Sequence, residues 1–142
     1  MQATIITRAF RERDYGAVLR LWRRSQGVEI AEGDDRAGIV AYLRRNPGLS
    51  RVALRRQRIV GAVLCGHDGR RGLIYHLAVA PRYRGQGIGQ LLVQECIDGL
   101  RARGIKRALI LVDKRNRKGR TFWLRRGFEV ISLAEPFGRD VP

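Results

Sequence analysis

Three glycines in alternation, Gly85, Gly87 and Gly89, stand in the run Val79-Ala-Pro-Arg-Tyr-Arg-Gly-Gln-Gly-Ile-Gly-Gln-Leu-Leu92. Glycine has no Cβ, so a ligand can approach the backbone closely at such positions. The residues that follow are spaced as an amphipathic helix. The first turn of a helix leaves N–H groups unpaired at the positive end of its dipole. A glycine-rich turn opening into a helix is therefore an anion site, suited to phosphate or pyrophosphate. Arg82 and Arg84 add positive charge at the same place. The plainer reading is capping and close packing, but three alternating glycines exceed what a cap needs. G-x-x-x-x-G-K-[S/T] is absent, which excludes a P-loop nucleotidase. Gln90 and Leu92 occupy the positions where G-x-G-x-x-G would need its last glycine, so the dinucleotide fingerprint is missing too.

Other reactive side chains are few. Cys65 and Cys96 both lie in apolar stretches and read as buried, reduced thiols. No C-x-x-C occurs and there are only two histidines, which argues against a structural zinc site; no metal is expected.

The elements that position the glycine turn follow from periodicity. Residues 4–8 form a short β-type run. Asp14 to Arg24 carries Tyr15, Val18, Leu19 and Trp22 at helical spacing, with Asp14 where an N-cap would sit. Residues 25–33 form a loop with Glu29 and Glu32. Residues 34–45 predict a second helix with Ile39, Val40, Tyr42 and Leu43 inward, stopped by Asn46-Pro47-Gly48. Residues 51–55 and 58–66 read as a hairpin about Arg56-Gln57, and 73–79 as a third strand of an antiparallel meander. A helix over about 87–103 buries Ile88, Leu91, Leu92, Cys96, Ile97 and Leu100 and ends at Gly104. The nearly continuous apolar run 107–112 predicts a strand buried on both faces, parallel to 73–79 through a right-handed crossover. A helix over about 117–126 and a last strand over 128–133 complete a single domain, 1–142. The fold class is α/β (α+β), with a mixed central sheet and helices on both faces.

With 142 residues the chain can bury a full core without disulfides, and 44% hydrophobic with 30% charged residues is an ordinary globular balance. No apolar run reaches the roughly 20 residues of a membrane span. The opening residues, broken by Arg8, Arg11 and Arg13, contain no apolar signal region, so a cytoplasmic location is expected. The net charge of +16 favours a polyanionic partner in principle. Of the 29 basic residues 26 are arginine, which genomic base composition explains equally well. They are spread along the chain without a stripe of aromatic residues, which argues against nucleic acid as a partner.

Arg84-Gly-Gln-Gly87-Ile-Gly89 resembles R/Q-x-x-G-x-G/A, the acetyl-CoA pyrophosphate loop of the GNAT superfamily of N-acetyltransferases. Leu77-Ala-Val-Ala-Pro81 looks like that family's approach strand, and Asn116, Trp123, Gly127 and Phe128 are similar to its N-x6-Y-x3-G-F ending. Residues 61–72 resemble the small bacterial YpeA/RimI-type members. The resemblance spans essentially the whole chain, including element order.

The resemblance implies the GNAT fold and transfer of the acetyl group of acetyl-CoA to a primary amine by direct attack in a ternary complex. The amine would be a protein N-terminus, a lysine or a small amine, and a homodimer is compatible with the family. Leu77 and Val79 would offer backbone groups to the pantetheine arm, with the Leu77 N–H polarising the thioester carbonyl. Arg84, Gly85, Gln86, Gly87, Ile88, Gly89 and Gln90 would wrap the pyrophosphate, and Asn116 would hydrogen-bond the pantetheine. Arg115, Arg117, Lys118 and Arg120 lie near a 3′-phosphate or form a solvated basic helix start. Trp123 stands where the family has a tyrosine acid; indole is a donor but no useful acid, so packing is expected of it. Candidate bases are Tyr75, His76 and, through water, Glu29 or Glu32, with Glu32 and Tyr75 put forward. Strand alternation places Tyr75 and Leu77 on one face and turns His76 into the packing. An acyl-CoA sensor without turnover is the alternative that Trp123 suggests.

Overall fold

A reverse turn built without glycine opens the sheet. Arg56 and Gln57 take φ of 49° and 67°, the double left-handed geometry whose twist matches paired strands. In this computed structural model, residues 4–142 are described. The turn joins β2 (Arg51–Arg55) to β3 (Arg58–His67). β4 (Gly72–Val79) lies antiparallel on β3, completing the expected three-stranded meander, and β1 (Ile5–Ala9) adds a fourth antiparallel strand beside β2. β5 (Ala108–Leu109) joins β4 in parallel, giving one mixed sheet in the order β1-β2-β3-β4-β5.

The helices cover both faces. α1 (Tyr15–Arg23) and α2 (Arg36–Arg45) close one side, where Val18, Leu21, Trp22 and Ile39 pack on Val52, Ala62 and Leu64. α3 (Ile88–Ala102) closes the other, with Ile88, Leu92, Cys96 and Leu100 against Val60, Val63, Cys65 and Ile74. Val93 is buried on α3, whereas Leu91, expected inward, is 40% exposed. Trp22 has no exposed surface, and truncating such a side chain costs about 3–5 kcal/mol. Gly104, at φ 78°, ends α3 as its sequence position required.

Three expectations fail for identifiable reasons. Asp14 precedes α1, but its carboxylate does not cap it. Instead it accepts Arg8 Nη1 and Nη2 at 2.6 and 2.9 Å and the Arg11 N–H at 2.8 Å. β5 is two residues long at the sheet edge and only half-buried, and Leu111 beyond it is 70% exposed. Residues 128–133 form no strand: such a segment gains its hydrogen bonds from a neighbour, and β5 offers too little edge to supply them. α4 (Arg117–Arg125) is present as expected. No helix among the described residues is long and apolar enough to cross a membrane.

Candidate active site

β4 changes sides halfway along its length. The Gly72 N–H donates to Arg107 O on the β5 side at 2.8 Å, yet the Ala80 N–H donates to Val60 O on the β3 side, also at 2.8 Å. Both positions are even, so strict alternation would point them the same way. The change comes from a bulge. Ala78 faces Ala62 and Tyr75 faces Leu64, which leaves His76 and Leu77 together opposite Val63. His76 takes a φ of 53°, a left-handed backbone that costs a non-glycine residue about 1–3 kcal/mol. Its carbonyl leaves the ladder to accept Trp22 Nε1–H at 2.9 Å.

The bulge corrects the expected arrangement of side chains. Tyr75 packs toward α1 and Leu77 toward α3, so they lie on opposite faces. His76 shares the α1 side with Tyr75, its ring edge-on to Trp22 with centroids 5.0 Å apart. The bulge also turns the backbone groups of Leu77 and Val79 toward β5. There β5 pairs only with Gly72 and Leu73, so a seam opens along the rest of β4. Val79 O in that seam accepts Arg84 Nε at 3.1 Å.

The seam runs into the glycine turn. Gly85 and Gly87 have φ of 75° and 84°, and a Cβ on either would project into open space. Gly87 is the N-cap of α3, and the first helical bond runs from Leu91 N–H to Gly87 O at 3.0 Å. The N–H groups of Ile88, Gly89 and Gln90 therefore face out of the helix start. Gln86 bonds back through Nε2 to Arg82 O at 3.4 Å. Gly89 has a different reason to be glycine: a Cβ would come within 3.3 Å of the Phe122 ring of α4. Beside the turn, Arg55 donates to the Tyr83 hydroxyl and holds its pKa below the ordinary phenol range.

Asn116 and Trp123 are placed by α4. Asn116 Oδ1 accepts the Gly119 N–H at 2.9 Å and so caps the helix, leaving its amide nitrogen free of that bond. Trp123 is half-buried between Phe122 and Phe128, at centroid distances of 5.2 and 5.1 Å and nearly perpendicular to both.

The acid–base groups divide sharply. Glu29 and Glu32 are exposed in the loop after α1. Tyr75 is half-buried, and burial raises its pKa. Cys65 and Cys96 are free and fully buried; the neighbouring Cys65 thiol and burial push the Cys96 thiol far up. The same loop carries Asp34, whose Oδ2 stands 2.8 Å from His76 Nε2 and also accepts the Ala31 N–H at 3.0 Å. The two side chains are 13% and 17% exposed. Sequence reading took Asp34 as the start of α2. The Asp34-Asp35 doublet held the signal: Asp35 caps α2 by accepting the Gly38 N–H at 2.9 Å, so the helix has no use for the second carboxylate.

The family model of the Acetyltransferase (GNAT) family matches residues 15–128. An acetyltransferase of Pectobacterium atrosepticum is 37% identical over 109 residues, covering 77% of each chain. Among solved structures, a PaiA N-acetyltransferase of Thermoplasma acidophilum in complex with coenzyme A superposes with a TM-score of 0.80, at 19% identity, over 89% of this chain and 91% of that one. Ard1 of Thermoplasma volcanium gives 0.79 at 21% identity, over 89% and 83%. The bulged strand, its open seam and the glycine turn all lie within the residues that the family model matches, and the chain belongs to the GNAT family of acetyltransferases.

Proposed function

We propose that this chain transfers the acetyl group of acetyl-CoA to a primary amine by direct attack in a ternary complex. The observation that carries the reading is the bulge at His76, which turns the Leu77 and Val79 backbone into a seam that leads to the anion-binding turn. The residues present suit acetyl-CoA, which supplies an activated acetyl thioester. Gly85 and Gly87 leave open space at the turn, and the first N–H groups of α3 would hold the pyrophosphate with Arg84, Gln86, Ile88, Gly89 and Gln90 around it. Leu77 and Val79 would pair with the pantetheine arm, with the Leu77 N–H aimed at the oxygen on which negative charge grows. The Asn116 amide nitrogen would reach the same arm.

Direct attack is favoured because no cysteine can carry the acyl group: both thiols are buried and the Cys96 thiol is held protonated. Tyr75, kept neutral by burial, would act as a hydrogen-bond donor on the acceptor side. Glu29 and Glu32, exposed in the loop, would draw in a cationic amine. Peptide N-termini, lysine side chains and small amines all fit this chemistry.

Thermal shift with acetyl-CoA, followed by coenzyme A thiol release with a panel of these three amine classes, tests the reading. Stabilisation with amine-dependent thiol release supports it. Stabilisation without release by any amine would favour a non-catalytic acyl-CoA sensor.

A further inference from the structure

We infer that His76, oriented by Asp34, is the general base that takes the proton from the acceptor amine; this rests on the acetyl-transfer reading above. Ionised Asp34 has no proton to give, so the 2.8 Å contact is Nε2–H donating to Oδ2. That fixes the tautomer of a neutral imidazole and leaves the lone pair on Nδ1. Nδ1 has no hydrogen-bond partner among the described residues, nor is it buried without one; the Tyr42 hydroxyl alone has that status. It therefore keeps some contact with solvent.

The position argues for chemistry. This bulge holds residue 76 in the left-handed region, which glycine adopts without strain; an imidazole at φ 53° is a costlier choice there. His76 directly precedes Leu77, whose N–H faces the thioester, so base and oxyanion donor are adjacent by covalent geometry. Every neighbour holds the ring. Trp22 of α1 packs on it and anchors its carbonyl. Tyr75 of β4 stands at 6.4 Å between centroids, and Val63 of β3 lies opposite in the ladder. From the loop, Asp34 is tied down by the Tyr15 hydroxyl, which donates to Asp34 O at 2.7 Å. Asp34 is the charged group in hydrogen-bond contact with the ring; Glu29 and Glu32 are exposed.

The step balances. The amine lone pair forms a C–N bond to the acetyl carbon, the C–S bond breaks and its electron pair leaves on sulfur as thiolate. The surplus N–H proton passes to His76 Nδ1, directly or through one water, and is then released to the thiolate or to solvent. His76 is the catalytic residue in this scheme and Asp34 the positioning residue.

The test uses the full chain with acetyl-CoA and the peptide and amine panel. His76→Gly and His76→Asn both suit the left-handed backbone, so folding is retained, and a melting curve checks it. Each should lower kcat/KM by about 10²–10⁴-fold and abolish the limb that falls toward acid, with acetyl-CoA affinity within about twofold. Added imidazole should restore part of the His76→Gly turnover. A second readout needs no turnover: His76 and His67 are the two histidines of the chain, so their ring resonances can be followed by NMR in the protein alone. Asp34→Asn should shift the His76 ring resonances, leave those of His67 in place, and lower kcat/KM with acetyl-CoA affinity within about twofold. An unchanged limb in the His76 variants, or full turnover in a folded Asp34→Asn variant whose His76 resonances have shifted, would overturn the inference while wild-type turnover keeps the acetyl-transfer reading intact. A wild-type protein that binds acetyl-CoA and acetylates no amine would overturn the reading and the base together.

Discussion

Gly27, in the loop after α1, lies against Asn116 at the head of α4: a Cβ on Gly27 would stand 2.6 Å from Asn116 Nδ2. The same loop reaches β4 through Asp34 and His76. It therefore touches both banks of the seam, with Asn116 on one side and His76 on the other. Gly27 also has a φ of 84°, which disfavours any side chain. Gly27→Ala is expected to push the loop off Asn116 and to strain it by about 1–3 kcal/mol. Limited proteolysis should cut the loop faster, and kcat/KM for the amine should fall more than acetyl-CoA affinity does. Equal protection from protease in the variant would contradict the contact.

At the glycine turn, shape should matter more than charge. Gly87→Val forces a β-branched residue into φ 84° and places bulk in the open space where the proposed pyrophosphate would sit. We expect acetyl-CoA affinity to fall by about tenfold or more, a difference of about 1.4 kcal/mol or more. Arg82 is exposed, and its charge is screened over about 8–10 Å at physiological salt, so Arg82→Ala should cost about twofold. Calorimetric titration decides it; equal losses would refute the ordering.

Trp123→Phe should keep most turnover, because the indole packs edge-on between Phe122 and Phe128 and phenylalanine preserves those contacts. The melting temperature should drop by a few degrees. A fall in kcat beyond about 10²-fold in a folded variant would be the size of a lost acid catalyst and would assign the indole a chemical role.

Asp14 links the end of β1 to the start of α1. Burial by itself would raise its carboxyl pKa, but the hydrogen bonds from Arg8 and the Arg11 N–H, with the charges of Arg8 and Arg13, hold it below the usual carboxylate range. The ionised form therefore favours the folded state. That contribution is whole above the ordinary carboxylate value of about 3.9 and is lost as pH falls through the lower folded value. Asp14→Asn should destabilise by about 1–3 kcal/mol at pH 7, and the gap to wild type should narrow below about pH 4. Urea melts at pH 7, 4 and 3 measure it; a gap that is constant with pH would mean the effect is packing alone.

What the sequence made legible was local. The Arg56-Gln57 hairpin, the Gly104 stop and the 3.6-residue spacing of Ile88, Leu92, Cys96 and Leu100 are each determined within a few residues, and each is found in place. The bulge was not legible. Residues 73–79 read as one uninterrupted strand because the extra residue is a histidine among apolar neighbours, with no glycine or proline to mark it. Only the register against β3 reveals it. The mistaken facing of Tyr75 and Leu77 followed from that one missing residue of register. The expected last strand had the opposite fault: Val130, Ile131 and Leu133 have strand composition but no neighbour to pair with, and they stand exposed. Asp34 stayed hidden because its partner is 42 positions away.

The bulge makes β4 two half-strands of opposite parity joined at His76. The first half completes the sheet, donating from Gly72 to the β5 side; the second withdraws from that edge and leaves Leu77 and Val79 with their groups unclaimed by β5. A longer β5 would compete with any extended ligand for those same groups. Its two-residue length is thus a condition of the seam staying accessible, and the weak edge that denies residues 128–133 a strand partner is the same edge that keeps the site free. Were the same residues paired regularly, with no bulge, the even positions would face β5 throughout and the Leu77 and Val79 amides would turn toward β3, away from the seam, with the glycine turn left intact beside them.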